Sequence, residues 1–237
     1  VLAILYLVQQ GRRVAYIDID AHHGDGVQEA FYGTDRVLTI SLHETGASLF
    51  PGSGFEHETG NGAGRGYSVN IPLPPHSDDE LFVHAFNEVV PTLVSAFSPD
   101  IIVTQLGVDT FRTDPLAHLN VTSNGFCDVV TRIKTLAPKW VALGGGGYDI
   151  ANVARAWTLA WAIMNDGNAP DLIPDDFLRH YARAGFRGRK LRDEPYVLGG
   201  ESKERMRKEA DRVIHYVKNH VVPVISFDIP TVGSGDP

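Results

Sequence analysis

Five short apolar runs alternate with longer amphipathic stretches along the 237 residues, and this alternation constrains the fold more than any other feature of the chain. The runs 13–19, 37–42, 67–71, 101–106 and 140–143 are rich in Val and Ile and nearly continuous in hydrophobicity. Strands of that kind are covered on both faces. Strands separated by helical stretches predict an α/β domain built on a mostly parallel sheet with helices on both faces.

The intervening stretches carry helix signals. Ser77-Asp78-Asp79-Glu80 reads as a capping box, followed by Phe82, Phe86, Val89, Leu93 and Phe97 at helical spacing, with Pro91 expected to kink the helix. Residues 123–136 and 150–164 read as further helices, and 1–8 as a buried one. Met206, Ala210, Val213, Val217 and Val221 form one apolar stripe on the otherwise charged stretch 203–220, a surface helix docked on the domain. Two long loops stand apart: 50–66, with six glycines, and 170–201, rich in charge and proline. Loops of that length in a compact domain are more often functional than ornamental. Residues 231–237 read as a low-complexity tail, and no internal domain boundary is visible.

Composition excludes several classes. With 21 Lys+Arg against 29 Asp+Glu the formal charge is −8, which argues against direct nucleic-acid binding through phosphate neutralisation. No apolar run reaches the roughly 18–20 residues that span a bilayer, so no membrane partner is expected. Cys127 is the single cysteine, so no intrachain disulfide can form, and a reducing cytoplasm is the expected compartment.

Chemistry concentrates where the first predicted strand ends, in Asp18-Ile19-Asp20-Ala21-His22-His23-Gly24-Asp25-Gly26. Ligands of open α/β sheets bind beyond the carboxyl ends of strands. Three carboxylates and two imidazoles packed together there repel and lose hydration unless a cation compensates. Asp20 and His22 are two apart, so an extended chain projects both to one side. An Asp/His set favours Zn²⁺ or another first-row divalent ion over Ca²⁺. A catalytic zinc takes three protein ligands, and Asp109, after the strand 101–106, is the best third; a turn or helix cap is its alternative role.

Four glycines precede Tyr148 and Asp149. They allow the backbone close to a ligand, but the run lacks the Lys-Ser/Thr of a phosphate loop and the spacing of a dinucleotide fingerprint. Tyr148 could aim its hydroxyl at a developing oxyanion opposite the metal; a packed tyrosine is the alternative.

Together these segments resemble the zinc-dependent histone deacetylase family, in particular the bacterial acetoin utilisation proteins and related prokaryotic amidohydrolases. The resemblance runs over residues 1–173 and rests on Tyr16 to Tyr32, on Phe50-Pro51-Gly52-Ser53-Gly54, on Asp114-Pro115-Leu116-Ala117-His118-Leu119, and on Gly144 to Tyr148 with Asn152-Val153-Ala154-Arg155-Ala156-Trp157. It implies the three-layer arginase/deacetylase fold. It implies one zinc on Asp20, His22 and Asp109, with Tyr148 as donor to the oxyanion. It places structural K⁺ at Asp18, Asp20, His22, Ser41 and Leu42, and at Phe31, Thr34, Val37 and Tyr67. Phe50, Leu116 and Gly146 align with the acyl tunnel, where Phe50 and Leu116 could equally be core residues.

The implied reaction is hydrolysis of the acetyl amide of acetyl-lysine, an acetylpolyamine or another acetylated small amine. In the family a tandem His-His pair, backed by carboxylates matching Asp18 and Asp25, acts as base and acid. That pair belongs upstream of Val1, and His22-His23 is not its counterpart. The chain is therefore expected to be the C-terminal part of a single catalytic domain, with little hydrolytic activity and poor solubility by itself. A dinuclear manganese hydrolase would need carboxylates at Gly24 and Phe111, so one metal is the expected count. A non-catalytic acetyl-lysine-binding module is the remaining alternative.

Overall fold

A computed structural model describes residues 1–181 and 188–227. The expected tail 231–237 and part of the second long loop lie outside the described residues. In chain order the elements are α1 (Leu2–Gln9), β1 (Val14–Asp18), α2 (Asp25–Phe31), β2 (Val37–Glu44), β3 (Ser68–Leu73), α3 (Asp79–Phe97), β4 (Ile101–Gln105), α4 (Ser123–Leu136), β5 (Trp140–Leu143), α5 (Ile150–Met164), α6 (Asp175–His180), α7 (Gly200–His220) and α8 (Val222–Phe227).

All five strands pair in parallel, in the order β3-β2-β1-β4-β5. The chain winds outward from β1 to β3, then returns to the other side of β1 to lay down β4 and β5. The direction of winding reverses between β1 and β4, so the loops leaving these two strands diverge and open a crevice at their carboxyl ends. That crevice holds Asp18 to His22 on one side and Gln105 to Asp109 on the other.

The main core lies between one sheet face and helices α3, α4, α5 and α7, where Phe82, Phe86, Phe97 and Phe126 are fully enclosed. Each contributes about 1.5–3 kcal/mol by transfer from water. A smaller cluster on the opposite face joins Ile4 of α1 and Phe31 of α2 to Val14, Tyr16, Val37 and Val103. The five strands, α4 and α5 fall where hydrophobic periodicity put them, with shifts of at most two residues at strand ends. The stripe on α7 is buried as expected, with Ile214 added to it.

Two details differ from the sequence reading, the cap of α3 and the burial of α1. The N-cap of α3 is Asp78, which accepts the Leu81 N–H at 3.2 Å, while the Ser77 hydroxyl donates to the Pro74 carbonyl at 2.7 Å. Pro91 lies inside α3 without ending it. Helix α1 is not buried: Ile4 alone is fully covered, and Leu2 (83 % exposed) and Tyr6 (63 %) face outward. It is apolar on all sides, but the sheet can cover only one of them.

Candidate metal centre

Asp20, His22 and Asp109 meet in the crevice, each offering one ligand atom within 4.8 Å of the others. His22 Nδ1 lies 2.8 Å from Asp109 Oδ2 and 3.1 Å from Asp20 Oδ1. Backbone N–H groups orient the carboxylates: Ala21 donates to Asp109 Oδ1 at 2.8 Å, and His22 donates to Asp20 Oδ1 at 2.9 Å. On the far side of Asp20, Oδ2 accepts from Gln105 Nε2 at 2.6 Å and from the Gly146 N–H at 2.7 Å. The ends of β1, β4 and β5 thus all contribute to holding one carboxylate.

Burial sets the electrostatics. Asp109 is fully buried and Asp20 nearly so. Desolvation pushes Asp109 up to about 6, whereas the hydrogen bonds from His22 and Gln105 outweigh the same penalty at Asp20 and hold it low. Hydrogen bonds to Asp109 and Asp20 push His22 up to about 10. The two acids thus favour a positive charge at the point where His22 Nδ1 meets them.

The space around the ligands suits an ion. A Cβ on Gly146 would lie 2.2 Å from Asp109 Oδ2 and 2.8 Å from Asp20 Oδ2, and one on Gly107 would lie 2.2 Å from Asp20 Oδ2. Only glycine lets the β4 and β5 loops close on the carboxylates. One imidazole and two carboxylates with room for a further ligand match an open zinc site in number and donor type.

A cavity of about 280 Å³ opens over this cluster, walled by Asp18, His22, His23, Phe50 and Tyr148 among others. Tyr148 is 50 % exposed, and Phe50 and Leu116 are exposed as well, so none of the three is a core residue. The Tyr148 ring stands edge-on to His22 with centroids 6.4 Å apart. Burial and the charges of Asp109, Asp20 and Asp114 push its phenol up, so it holds its proton at neutral pH. A larger open cleft of about 830 Å³ lies around Thr113, Arg155 and Asp193, away from the cluster.

Asp18 lies beneath the cluster, almost fully buried. It accepts the Tyr16 hydroxyl at 2.6 Å and the Asp20 N–H at 3.0 Å, and desolvation together with the nearby Asp20 charge pushes it up to about 7. Ser41 follows on β2, paired with Asp18 across the sheet. Its Oγ lies 2.8 Å from His43 Nδ1 and 3.3 Å from the Gly24 N–H that donates to it. Leu42 is the next residue of the same strand. Phe31, Thr34, Val37 and Tyr67 gather at the opposite end of the strands, where the Phe31 carbonyl accepts the Thr34 N–H at 3.2 Å and the Tyr67 carbonyl accepts the Thr39 N–H at 2.9 Å. Asp25 opens α2, is exposed, and lines the same cavity as Asp20 and His22.

Sequence reasoning missed Gln105 as the group orienting Asp20. It also missed the buried Glu44, whose carboxylate accepts the His118 Nδ1–H at 2.9 Å and the His118 backbone N–H at 2.8 Å. Both pairs are more than 70 residues apart in sequence, beyond the reach of local pattern.

Known proteins similar to this chain point to one family. The sequence model of the Histone deacetylase domain matches residues 1–164, which contain Asp20, His22, Asp109 and Tyr148. The chain belongs to the histone deacetylase family. It is 43 % identical to Histone deacetylase B of Dictyostelium discoideum over 183 residues, covering 77 % of this chain and 43 % of that protein. It is 44 % identical over 184 residues to the acetoin utilization protein AcuC of Bacillus subtilis, covering 75 % of this chain and 48 % of that one. The chain therefore spans about half the length of the curated relatives it matches. Crystal structures of an HDAC homologue from Aquifex aeolicus and of an HDAC homologue complexed with SAHA superpose with TM-scores of 0.82 and 0.81 at 34 % identity, each over 92 % of this chain and 60 % of the other. The parallel sheet with its flanking helices is thus the arginase/deacetylase fold of the family.

Proposed function

We propose that this histone deacetylase domain is part of a zinc-dependent amidohydrolase that removes the acetyl group from acetyl-lysine or a related acetylated amine. The observation that carries the reading is the convergence of His22 Nδ1 with Asp20 and Asp109 under a cavity walled by the half-exposed Tyr148. We read residues 1–237 as the C-terminal part of one catalytic domain.

Asp20, His22 and Asp109 would hold the ion, which when bound supplies Lewis-acid polarisation of the acyl carbonyl and acidifies water. Gln105 and the Gly146 N–H keep Asp20 turned toward the site, as outer hydrogen bonds do for metal ligands. The Tyr148 phenol keeps its proton and can donate it in a hydrogen bond to the acyl oxygen as that atom gains charge. Phe50 and Leu116 offer apolar surface for the methylene chain of an acylated amine. The buried Asp18 gains from a positive neighbour, which supports structural K⁺ shared with Ser41 and Leu42 and with the backbone of Asp20 and His22. A second K⁺ would sit at Phe31, Thr34, Val37 and Tyr67. Among the described residues we assign none to the role of the family's tandem-histidine base, so Asp18 and Asp25 would have no such partner there.

Two measurements test the reading. Metal analysis after zinc loading is expected to give one ion per chain, lost in the His22→Ala variant; two ions or none would count against it. An acetyl-lysine peptide assay on the 237-residue chain is expected to show little turnover. Turnover at the rate of a full-length relative would mean that the chain carries its own base.

A further inference from the structure

Tyr148 is held by its backbone. Its hydroxyl makes no hydrogen bond among the described residues, and the four residues before it are glycines, with no side chains to pack. Its N–H, however, donates to Asp114 Oδ2 at 2.8 Å, across 34 residues of sequence. The other oxygen of the same carboxylate accepts the Leu116 N–H at 2.9 Å. Asp114 is only 8 % exposed, so both bonds are charge-assisted and shielded from water.

Neighbouring contacts run between the same two segments. The Thr113 hydroxyl donates to Asp149 Oδ2 at 2.7 Å and accepts from Asn152 Nδ2 at 2.8 Å. Asp149 in turn caps α5 by accepting the Ala151 N–H at 3.2 Å. The Val108 N–H donates to the Gly146 carbonyl at 2.8 Å. The glycine turn therefore hangs at residues 146, 148 and 149 from the segment 108–114, which also carries Asp109. Of these ties, the Asp114 bond is the one made to the tyrosine itself.

We infer that Asp114 is a positioning residue, whose carboxylate sets Tyr148 against the Asp20–His22–Asp109 cluster and fixes the rim residue Leu116 in the same act. The inference rests on the reading of Tyr148 as donor to the acyl oxygen. Geometry gives it a specific consequence. Asp114→Asn keeps the shape but turns one of the two acceptors into an NH₂ group facing a backbone N–H, so one of the paired bonds becomes donor against donor.

The test uses the zinc-loaded chain and octanoyl hydroxamic acid, whose carbonyl oxygen stands in for the acyl oxygen. Titration calorimetry compares the unmodified chain, Tyr148→Phe, Asp114→Asn and the double variant. Tyr148→Phe is expected to weaken hydroxamate binding about tenfold and Asp114→Asn by a similar factor, with the double variant no weaker than Tyr148→Phe alone. Zinc affinity stays within about twofold across the set, because no metal ligand is touched.

A metal-free readout accompanies it. Amide exchange at Tyr148 is expected to speed up at least about tenfold in Asp114→Asn while Val108 keeps its rate. Asp114→Ser replaces Asp114→Asn if the latter lacks a cooperative melt or if its amide oxygen turns to Tyr148 and leaves that amide protected. Additive effects in the double variant, or unchanged binding in Asp114→Asn, overturn the inference. Full hydroxamate affinity in Tyr148→Phe instead sinks the reading of Tyr148, and amide exchange then decides whether Asp114 holds the turn.

Discussion

His22 Nδ1 lies 2.8 Å from Asp109 Oδ2 and 3.1 Å from Asp20 Oδ1, so a single imidazole nitrogen faces both buried carboxylates. Those hydrogen bonds push His22 up to about 10, and the proton they retain occupies the place of a cation. Zinc must expel it. Below that pH the protonated form dominates, so raising the pH removes a competitor and strengthens binding. Zinc affinity is expected to rise about tenfold per unit between roughly pH 6 and 8, with at least one proton released per ion. Calorimetry in buffers of different ionisation enthalpy measures that release, and a pH-independent affinity would show that His22 does not retain a proton against Asp20 and Asp109 in this range.

The close approach of Gly146 to oxygens of both carboxylates makes it a sensitive non-ligand position at the site. Gly146→Ala places a methyl group 2.2 Å from Asp109 Oδ2 and forces either the turn or the carboxylate to move. Zinc affinity is expected to fall by about 10–100-fold, the range seen when the supports of metal ligands are lost. Gly26→Ala is the control: nothing lies within 4 Å of its Cβ, and it sits inside α2. Equal zinc affinity in the two variants would mean that the crevice yields more easily than its packing implies.

Arg155 serves the fold rather than the metal. Its guanidinium donates to the Leu191 carbonyl at 3.0 Å, to Asp193 Oδ1 at 2.8 Å and to Asn152 Oδ1 at 2.7 Å. Asp193 also accepts the Ser123 N–H at 2.9 Å at the start of α4. Arg155→Met leaves that carboxylate short of its cation, and is expected to lower stability by about 2–3 kcal/mol. Denaturant unfolding measures the loss, while zinc stoichiometry of the folded variant stays at one. A drop in zinc binding without a drop in stability would reverse this assignment.

The parts of this molecule legible in its sequence are those written in local pattern. Asp20 and His22 come together not by extended alternation but through a bend just after β1, where the His22 N–H donates to Asp20 Oδ1, and Asp109 is recognisable because it follows β4, whose Val and Ile content marks a buried strand. The ends of α4 and α5 were equally plain, with Thr122 and Asp149 capping them through their side chains. Long-range partners were not. Gln105 reaches Asp20 across 85 residues and Asp114 reaches Tyr148 across 34, and such pairings depend on which strands become neighbours. Helix α1 was misread because hydrophobicity reports what a segment could bury, not what is there to cover it. The choice between Ser77 and Asp78 as cap of α3 turned on the Pro74 carbonyl, which claims the serine hydroxyl.

Strand β5 exposes a face that parallel sheets normally cover. Trp140 and Ala142 pack toward the main core, while Val141 (42 % exposed) and Leu143 (48 %) point the other way, in register with Val103 and Gln105. Leu2 and Tyr6 of α1 add further exposed apolar surface. Among the described residues β5 is also a sheet edge, with one side of its backbone unpaired. The 237-residue chain by itself is therefore expected to associate and to bind the dye ANS. Sedimentation velocity is expected to show species larger than the monomer, and Val141→Thr with Leu143→Lys to shift the distribution toward it. Both positions lie outside the metal cluster, so zinc stoichiometry should persist in the double variant. A monomer with a sharp cooperative melt and no ANS signal would mean that the exposed face of β5 is tolerated without a cover.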